Sequence, residues 1–350
     1  VGNTPLWEPE RLRELTGLPN LYFKDDTCEP SGSFKDRASF LVAAFALERG
    51  IREIALASTG NAASSMAAVG AASSINIRVF LPKKAPIAKR IQVLQYGAAL
   101  TEIDGTYDKA FDASLAYSRE TGVLSRNTAY NPLTIEGKKT VSFEIAAQLA
   151  EQHTTADHIF VPVGDGVILS GLYKGFEDLM RLGVLKRMPT IWACQAEGSS
   201  AIARALFQLT EGIVSRGFTA DYRTPGAVFA PEIFSRPIPS DTIADSISVD
   251  VPRNGYHALG KLCTYGGKAV VVSDREILMA QRELASHSGI FAEPSSSTAW
   301  AGFRKALRDQ AHGAEQGTGS PVIQQEDTVV ILITGTGLKD TSGALKALEL

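Results

Sequence analysis

Short apolar runs rich in β-branched residues alternate with longer helix-like stretches along almost all of the 350 residues. The β-rich runs are Leu21–Lys24, Glu53–Ala57, Ile77–Leu81, Leu100–Ile103, His158–Pro162, Thr190–Gln195, Ala269–Val272 and Val329–Ile333. The helical stretches are Phe34–Arg49, Ala62–Ser73, Ile87–Tyr96, Tyr107–Glu120, Glu136–Glu151, Ser170–Leu182, Asp274–Ser288 and Ser297–Arg308. A strand that reaches its neighbour through a helix runs parallel to it, and the helices then cover both faces of the sheet. The pattern predicts an α/β protein with mostly parallel sheets in three layers. A chain of this length favours two domains over one. Ala311–Gln325, rich in Gly, Gln and Ser, reads as a solvent loop; Pro225–Pro239 holds four prolines and reads as an irregular crossing.

Composition narrows the function classes. A formal net charge of -3 gives no electrostatic case for a nucleic-acid or membrane partner. No apolar run approaches the ~20 residues that cross a bilayer. Cys28, Cys194 and Cys263 are odd in number and far apart, with no Cys-x-x-Cys pair, so neither a zinc ribbon nor a disulfide framework is indicated. A reducing cytoplasm is the expected compartment. What precedes Val1 is left open.

Three glycine-bearing turns follow predicted strands and lead into helices: Ser58-Thr59-Gly60-Asn61, Gly164-Asp165-Gly166-Val167 and Thr334-Gly335-Thr336-Gly337. In open α/β sheets ligands gather at the carboxyl ends of strands, where helix N-termini expose unpaired N–H groups. One such turn is ordinary; three together suggest a site for anionic groups. Gly164-x-Gly166 has the wrong spacing for a dinucleotide fingerprint. Gly255–Lys261 nearly spells a phosphate-binding loop, but Leu262 stands where a hydroxyl is needed.

The run Pro30-Ser31-Gly32-Ser33-Phe34-Lys35-Asp36-Arg37 is the most informative. It places Lys35 just inside a helix start, where the macrodipole disfavours a cation and tends to depress the amine's pKa. An amine that must react with a carbonyl uses such a shift. From these residues alone, a solvated surface lysine stays open as the alternative.

"PSGSFKDR" resembles the Schiff-base motif of threonine synthases, pyridoxal-phosphate (PLP) enzymes with the tryptophan-synthase-β-like fold. "ASTGN" at 57–61, "NPLTIEGKKT" at 131–140, "PVGDGVILSGLYKGF" at 162–176, "IADSISVDVPRN" at 243–254, "FAEPSSSTA" at 291–299 and "ITGTGLKD" at 333–340 are similar to that family in the same order. The resemblance implies a fold-type II enzyme of two α/β domains, with PLP in the cleft between them. The larger domain would be 1–33 with 154–350, and the smaller an insertion over 34–153. It implies elimination or replacement chemistry on an amino acid, and a homodimer.

Roles follow residue by residue from the same resemblance. Lys35 would be the catalytic lysine that carries the cofactor. Asn61 would bond its phenolic oxygen. Gly164, Asp165, Gly166, Val167 and Ile168 would form the phosphate loop, and Thr334 would meet the ring nitrogen, with Thr336 competing for that place. Ser58, Thr59, Gly60, Ala62 and Thr134 would line the substrate subsite. Three positions depart from the family pattern: Thr134 stands where an arginine is usual, Ala62 replaces a hydroxyl, and Asp165 replaces an asparagine. Each change donates less to a phosphorylated substrate, so O-phosphohomoserine is expected to be a poor one unless Lys138 or Lys139 compensates. A Ser/Thr dehydratase or a β-replacing enzyme, suggested by the opening "GNTPL", is the alternative; a PLP-binding protein without turnover is a third reading.

Overall fold

The computed structural model describes residues 1–58, 60–83, 87–105, 107–216, 233–234, 236–315 and 322–349. Its strands are β1 (Leu6–Trp7), β2 (Leu21–Asp25), β3 (Glu53–Ala57), β4 (Asn76–Pro82), β5 (Ala99–Ile103), β6 (Leu124–Ser125), β7 (His158–Pro162), β8 (Thr190–Ala196), β9 (Lys268–Val272) and β10 (Val329–Ile333). The helices are α1 (Glu10–Thr16), α2 (Lys35–Glu48), α3 (Asn61–Ser73), α4 (Ile87–Gln95), α5 (Tyr107–Thr121), α6 (Leu133–Lys138), α7 (Thr140–Glu151), α8 (Val167–Arg181), α9 (Ala201–Arg216), α10 (Gly255–Tyr265), α11 (Asp274–Ser288), α12 (Pro294–Glu315) and α13 (Thr341–Leu348).

The strands form two sheets, a six-stranded one ordered β1-β2-β10-β7-β8-β9 and a four-stranded one ordered β5-β4-β3-β6. Every pairing is parallel except β1 with β2. The central strands β2, β7 and β10 are buried along their whole length, as a parallel sheet covered on both faces requires. One face of the larger sheet packs on α11 and α12 through Phe23, Phe160, Trp300 and Phe303. The other packs on α7, α8 and α10 through Val141, Ile145, Leu169, Leu172, Phe176 and Leu259. A separate core, including Val42, Leu56, Met66 and Val79, lies on the smaller sheet.

Two expectations are corrected. The single helix read over Glu136–Glu151 is two, α6 and α7. It begins earlier because the Asn131 side chain accepts the Leu133 N–H at 2.9 Å. Its interior Gly137 is a contact rather than a filler, since a Cβ there would sit 2.3 Å from the Arg37 carbonyl oxygen. The loop read from Ala311 begins later, because α12 continues to Glu315. Residues 316–321 and most of Pro225–Pro239 lie outside the described residues.

Candidate active site

All three glycine turns sit at carboxyl ends of parallel strands: β3 leads to Gly60 and α3, β7 to Gly166 and α8, and β10 to Thr334. Lys35 opens α2, the first helix after β2. The bridge Ser33↔Gly335 and the hydrogen bond from Phe34 N–H to the Thr334 carbonyl, 2.9 Å, fasten the lysine segment to the end of β10. A second bridge, Ala292↔Thr336, brings in the start of α12. Chain segments far apart in sequence thereby meet around one amine.

Burial holds the Lys35 amine below its usual pKa; Asp165 and Glu293 oppose that shift and Arg126 adds to it. A depressed lysine pKa raises the fraction present as the neutral nucleophile. Asn61 donates to both carboxylate oxygens of Glu293, at 2.9 and 3.1 Å, and its side chain is thereby held by the residue just before α12. Burial pushes the Glu293 carboxyl up, while Asn61, Lys339 and Lys35 hold it down. Glu293 was not singled out in the sequence. The available signal was its place in the "FAEPSSSTA" run, an acidic residue just ahead of the small residues Ser295–Thr298.

At the start of α8, Gly166 has φ +87°, a conformation that favours glycine, and a Cβ on Gly164 would lie 2.8 Å from the Ile247 backbone. The turn therefore needs both glycines. The Asp165 carboxylate accepts the Val167 N–H at 3.0 Å, so one of the amides read as a phosphate donor is capped from within. The following first-turn amides, of Ile168 and Leu169, have no carbonyl one turn below them and stay available to an anion. The helix begins at Val167, three residues before the Ser170 start read from the sequence.

The remaining candidates divide. Thr334 is buried, and its hydroxyl makes no hydrogen bond among the described residues, whereas Thr336 accepts the Leu338 N–H and caps Gly337–Lys339. Ser58 Oγ accepts the N–H groups of Gly60 and Ala63, at 3.2 and 3.3 Å, so Ser58 and Gly60 bond one another at the start of α3. Ala62 is half-buried in the first turn of α3, and Thr59 lies outside the described residues. Thr134 is fully buried and its hydroxyl donates to the Asn131 carbonyl at 2.8 Å. Gly255–Lys261 lies inside α10, where Lys261 pairs with Glu177, so the loop-like spelling is a helix.

Do these residues fit PLP? Ser33 Oγ and Lys138 Nζ are buried without a hydrogen-bond partner among the described residues, a rare condition for buried polar atoms. With the Thr334 hydroxyl and the α8 amides they leave donors around Lys35 unsatisfied. A carbonyl compound bearing a phosphate and a ring nitrogen matches that set.

The family described as pyridoxal-phosphate dependent enzymes matches residues 1–335. The threonine synthase of Methanocaldococcus jannaschii is 34% identical over 349 residues, 99% of this chain and 78% of that protein. That of Methanosarcina acetivorans is 35% identical with the same coverage, 99% and 78%. Among solved structures, processed threonine deaminase isoform 2 from Solanum lycopersicum superposes with TM-score 0.75 at 22% identity, covering 99% of this chain and 82% of that one. Diaminopropionate ammonia lyase from Escherichia coli superposes with TM-score 0.77 at 15% identity, covering 99% and 88%. These structures establish the fold, and the sequence relatives place the chain more finely: it belongs to the pyridoxal-phosphate-dependent enzymes, in the family of the threonine synthases.

Proposed function

We propose that this chain forms threonine by elimination and replacement on a homoserine derivative, with Lys35 as the catalytic lysine. What supports the reading is the Lys35 segment bonded to the end of β10, with its amine within the field of Glu293, whose carboxylate Asn61 bonds. Bound PLP supplies an electron sink for the charge left when a substrate proton departs. Lys35 Nζ holds the cofactor and then moves the Cα proton. Asn61, oriented by Glu293, meets the cofactor's phenolic oxygen. The Gly164–Ile168 turn holds its phosphate through backbone amides, chiefly that of Ile168. The Thr334 hydroxyl, a neutral partner for the ring nitrogen, favours elimination and replacement over transamination. Ser58, Thr59 and Gly60 receive the substrate carboxylate beside Ala62 and Thr134.

The site lies in the cleft between a larger domain, 1–33 with 154–350, and a smaller insertion, 34–153, whose last helix α7 docks on the larger sheet. We read the protein as a cytoplasmic homodimer. Among the described residues no helix is long and apolar enough to cross a membrane, all three cysteines are free thiols, and two-fold dimers are the commonest assemblies.

Borohydride reduction of the holoprotein is expected to fix the cofactor on the peptide containing Lys35. Label on another lysine overturns the assignment. A dehydratase is the second reading, favoured by the fold shared with threonine deaminase. Parallel assays of phosphate and 2-oxo acid release separate the two.

A further inference from the structure

Lys138 closes α6, a short helix packed against both α2 and α8. Its stem lies against α8, since a Cβ on Gly171 would stand 2.7 Å from the Lys138 Cβ. Its side chain is 0% exposed, and its ammonium has no hydrogen-bond partner among the described residues. An ammonium carries three donors, and leaving all of them buried and unmade is costly unless a ligand completes them. By contrast, the neighbouring Lys139 is paired with Glu136 and Asp178 at 2.7 and 2.8 Å. Lys138 is therefore not a surplus member of a solvated face.

Its surroundings identify the missing partner. Burial, Lys35 and Arg126 push the Lys138 amine well below its usual pKa and Asp165 alone opposes them, so an added anion is what keeps this amine charged. Asp165 is already committed to the Val167 amide. The start of α8 adds the positive end of a fifteen-residue helix. The local field calls for an anion stronger than one carboxylate. Thr134, one turn earlier on the same face of α6, has its hydroxyl proton engaged by Asn131 and cannot supply the contact. Side chains on a helix lean toward its N-terminus, so the Lys138 stem reaches back over the Thr134 turn.

We propose that Lys138 is a phosphate-binding residue of this site, its ammonium pairing with the phosphate monoester of a ligand held between α6 and the start of α8. The inference rests on the reading of Lys35 as the centre of the cofactor cleft. Two phosphates reach that place, the cofactor's and that of a phosphorylated substrate, and they are told apart by measurement. If the substrate's is the one bound, Lys138 offsets the donors missing at Ala62, Thr134 and Asp165, and a phosphorylated homoserine becomes a good substrate.

The test compares wild type, K138M and K138R, each loaded with PLP and mapped by borohydride reduction to confirm attachment at Lys35. Cofactor affinity is measured by absorbance after stripping and reloading, and inorganic phosphate affinity by calorimetry on the loaded protein. If the cofactor's phosphate is the ligand, K138M weakens cofactor binding about ten-fold or more. If the substrate's phosphate is the ligand, K138M leaves cofactor binding within about two-fold. It then weakens inorganic phosphate, and raises KM for O-phosphohomoserine, by about ten-fold or more. K138R restores most of the loss in either case. A K138M protein that folds and equals wild type in both affinities overturns the proposal. K138Q replaces K138M should the latter fold poorly, and the same two affinities decide. Cofactor attached away from Lys35 overturns the functional reading instead, so the two failures are distinct.

Discussion

Lys35 and Arg37 stand two residues apart at the start of α2 and enter opposite electrostatic surroundings. Arg37 is saturated. It bonds Asp26 at 2.6 and 2.9 Å, Glu144 at 2.6 and 2.9 Å, Thr140 at 3.0 Å and Thr4 at 3.0 Å. Lys24 joins the same network through Glu144 and Gln148. On the Lys35 side, Lys138 Nζ and Ser33 Oγ have no hydrogen-bond partner among the described residues, and the carboxylates present are engaged by Val167 and Asn61. A buried charge whose donors are all made fixes structure; one whose donors are left open awaits a ligand. The contrast separates the part of α2 that holds the fold from the part that the proposed function assigns to the cofactor.

Replacing either residue tests this division. K35A is expected to lose turnover by on the order of a thousand-fold or more and to take up no borohydride-fixable cofactor. Its urea midpoint should stay near that of wild-type apoprotein, because the Lys35 amine makes no hydrogen bond among the described residues. R37M should do the reverse, costing about 3–5 kcal/mol in denaturant unfolding, since Asp26 is left fully buried without its cationic partner and Glu144 keeps only Lys24. Folded R37M should still capture cofactor at Lys35. Equal destabilisation by the two changes would break the comparison.

A smaller effect is expected at Glu293. E293Q replaces a charged acceptor by a neutral one and loosens the Asn61 side chain, so kcat/KM should fall about ten-fold while the melting temperature changes little. An unchanged kcat/KM would make the Asn61–Glu293 bond a feature of packing alone.

The smallest effect concerns pH. Burial and the neighbouring Asp26 raise the Glu29 pKa to about 7 against the pull of Arg37. A folded pKa above the ordinary 4.5 favours the protonated form, so this stability is full below about 4.5 and is lost as pH rises through 7. Burial also raises Glu144, but bonds from Arg37 and Lys24 overcome it and bring the pKa to about 2. That contribution is present above 4.5 and lost as pH falls toward 2. Between pH 6 and pH 8 wild type should lose roughly 1–3 °C of melting temperature. The loss should disappear in E29Q and persist in K35A.

The sequence was most legible where periodicity and burial agree. Glu53–Ala57, His158–Pro162, Val329–Ile333 and Asp274–Ser288 have the limits their patterns predict. The two-residue strands β1 and β6 are too short to show a period, and α1, α9, α10 and α13 went unread. Lys35 and the glycine turns were visible because strand ends and helix starts punctuate a sequence. Glu293 was not, and Lys138 was named only together with Lys139, because their meaning comes from partners on other elements. Lys138 looked like half of a solvated Lys-Lys pair, and only the packing of α6 between α2 and α8 distinguishes it from Lys139.

The fastening of the lysine segment to β10 has a consequence for biosynthesis. Leu21 pairs with Val329 and Ser33 with Gly335, so the strand that seats Lys35 closes over roughly 300 intervening residues. At typical elongation rates those residues take about 15–60 s to emerge from the ribosome. Throughout that interval β2 lacks its central neighbour and the Lys35 amine has no finished surroundings. Capture of the carbonyl cofactor in its native geometry thus belongs to the last stage of synthesis. Nascent chains arrested before β10 should not protect the Lys35 peptide from amine reagents, whatever the cofactor concentration.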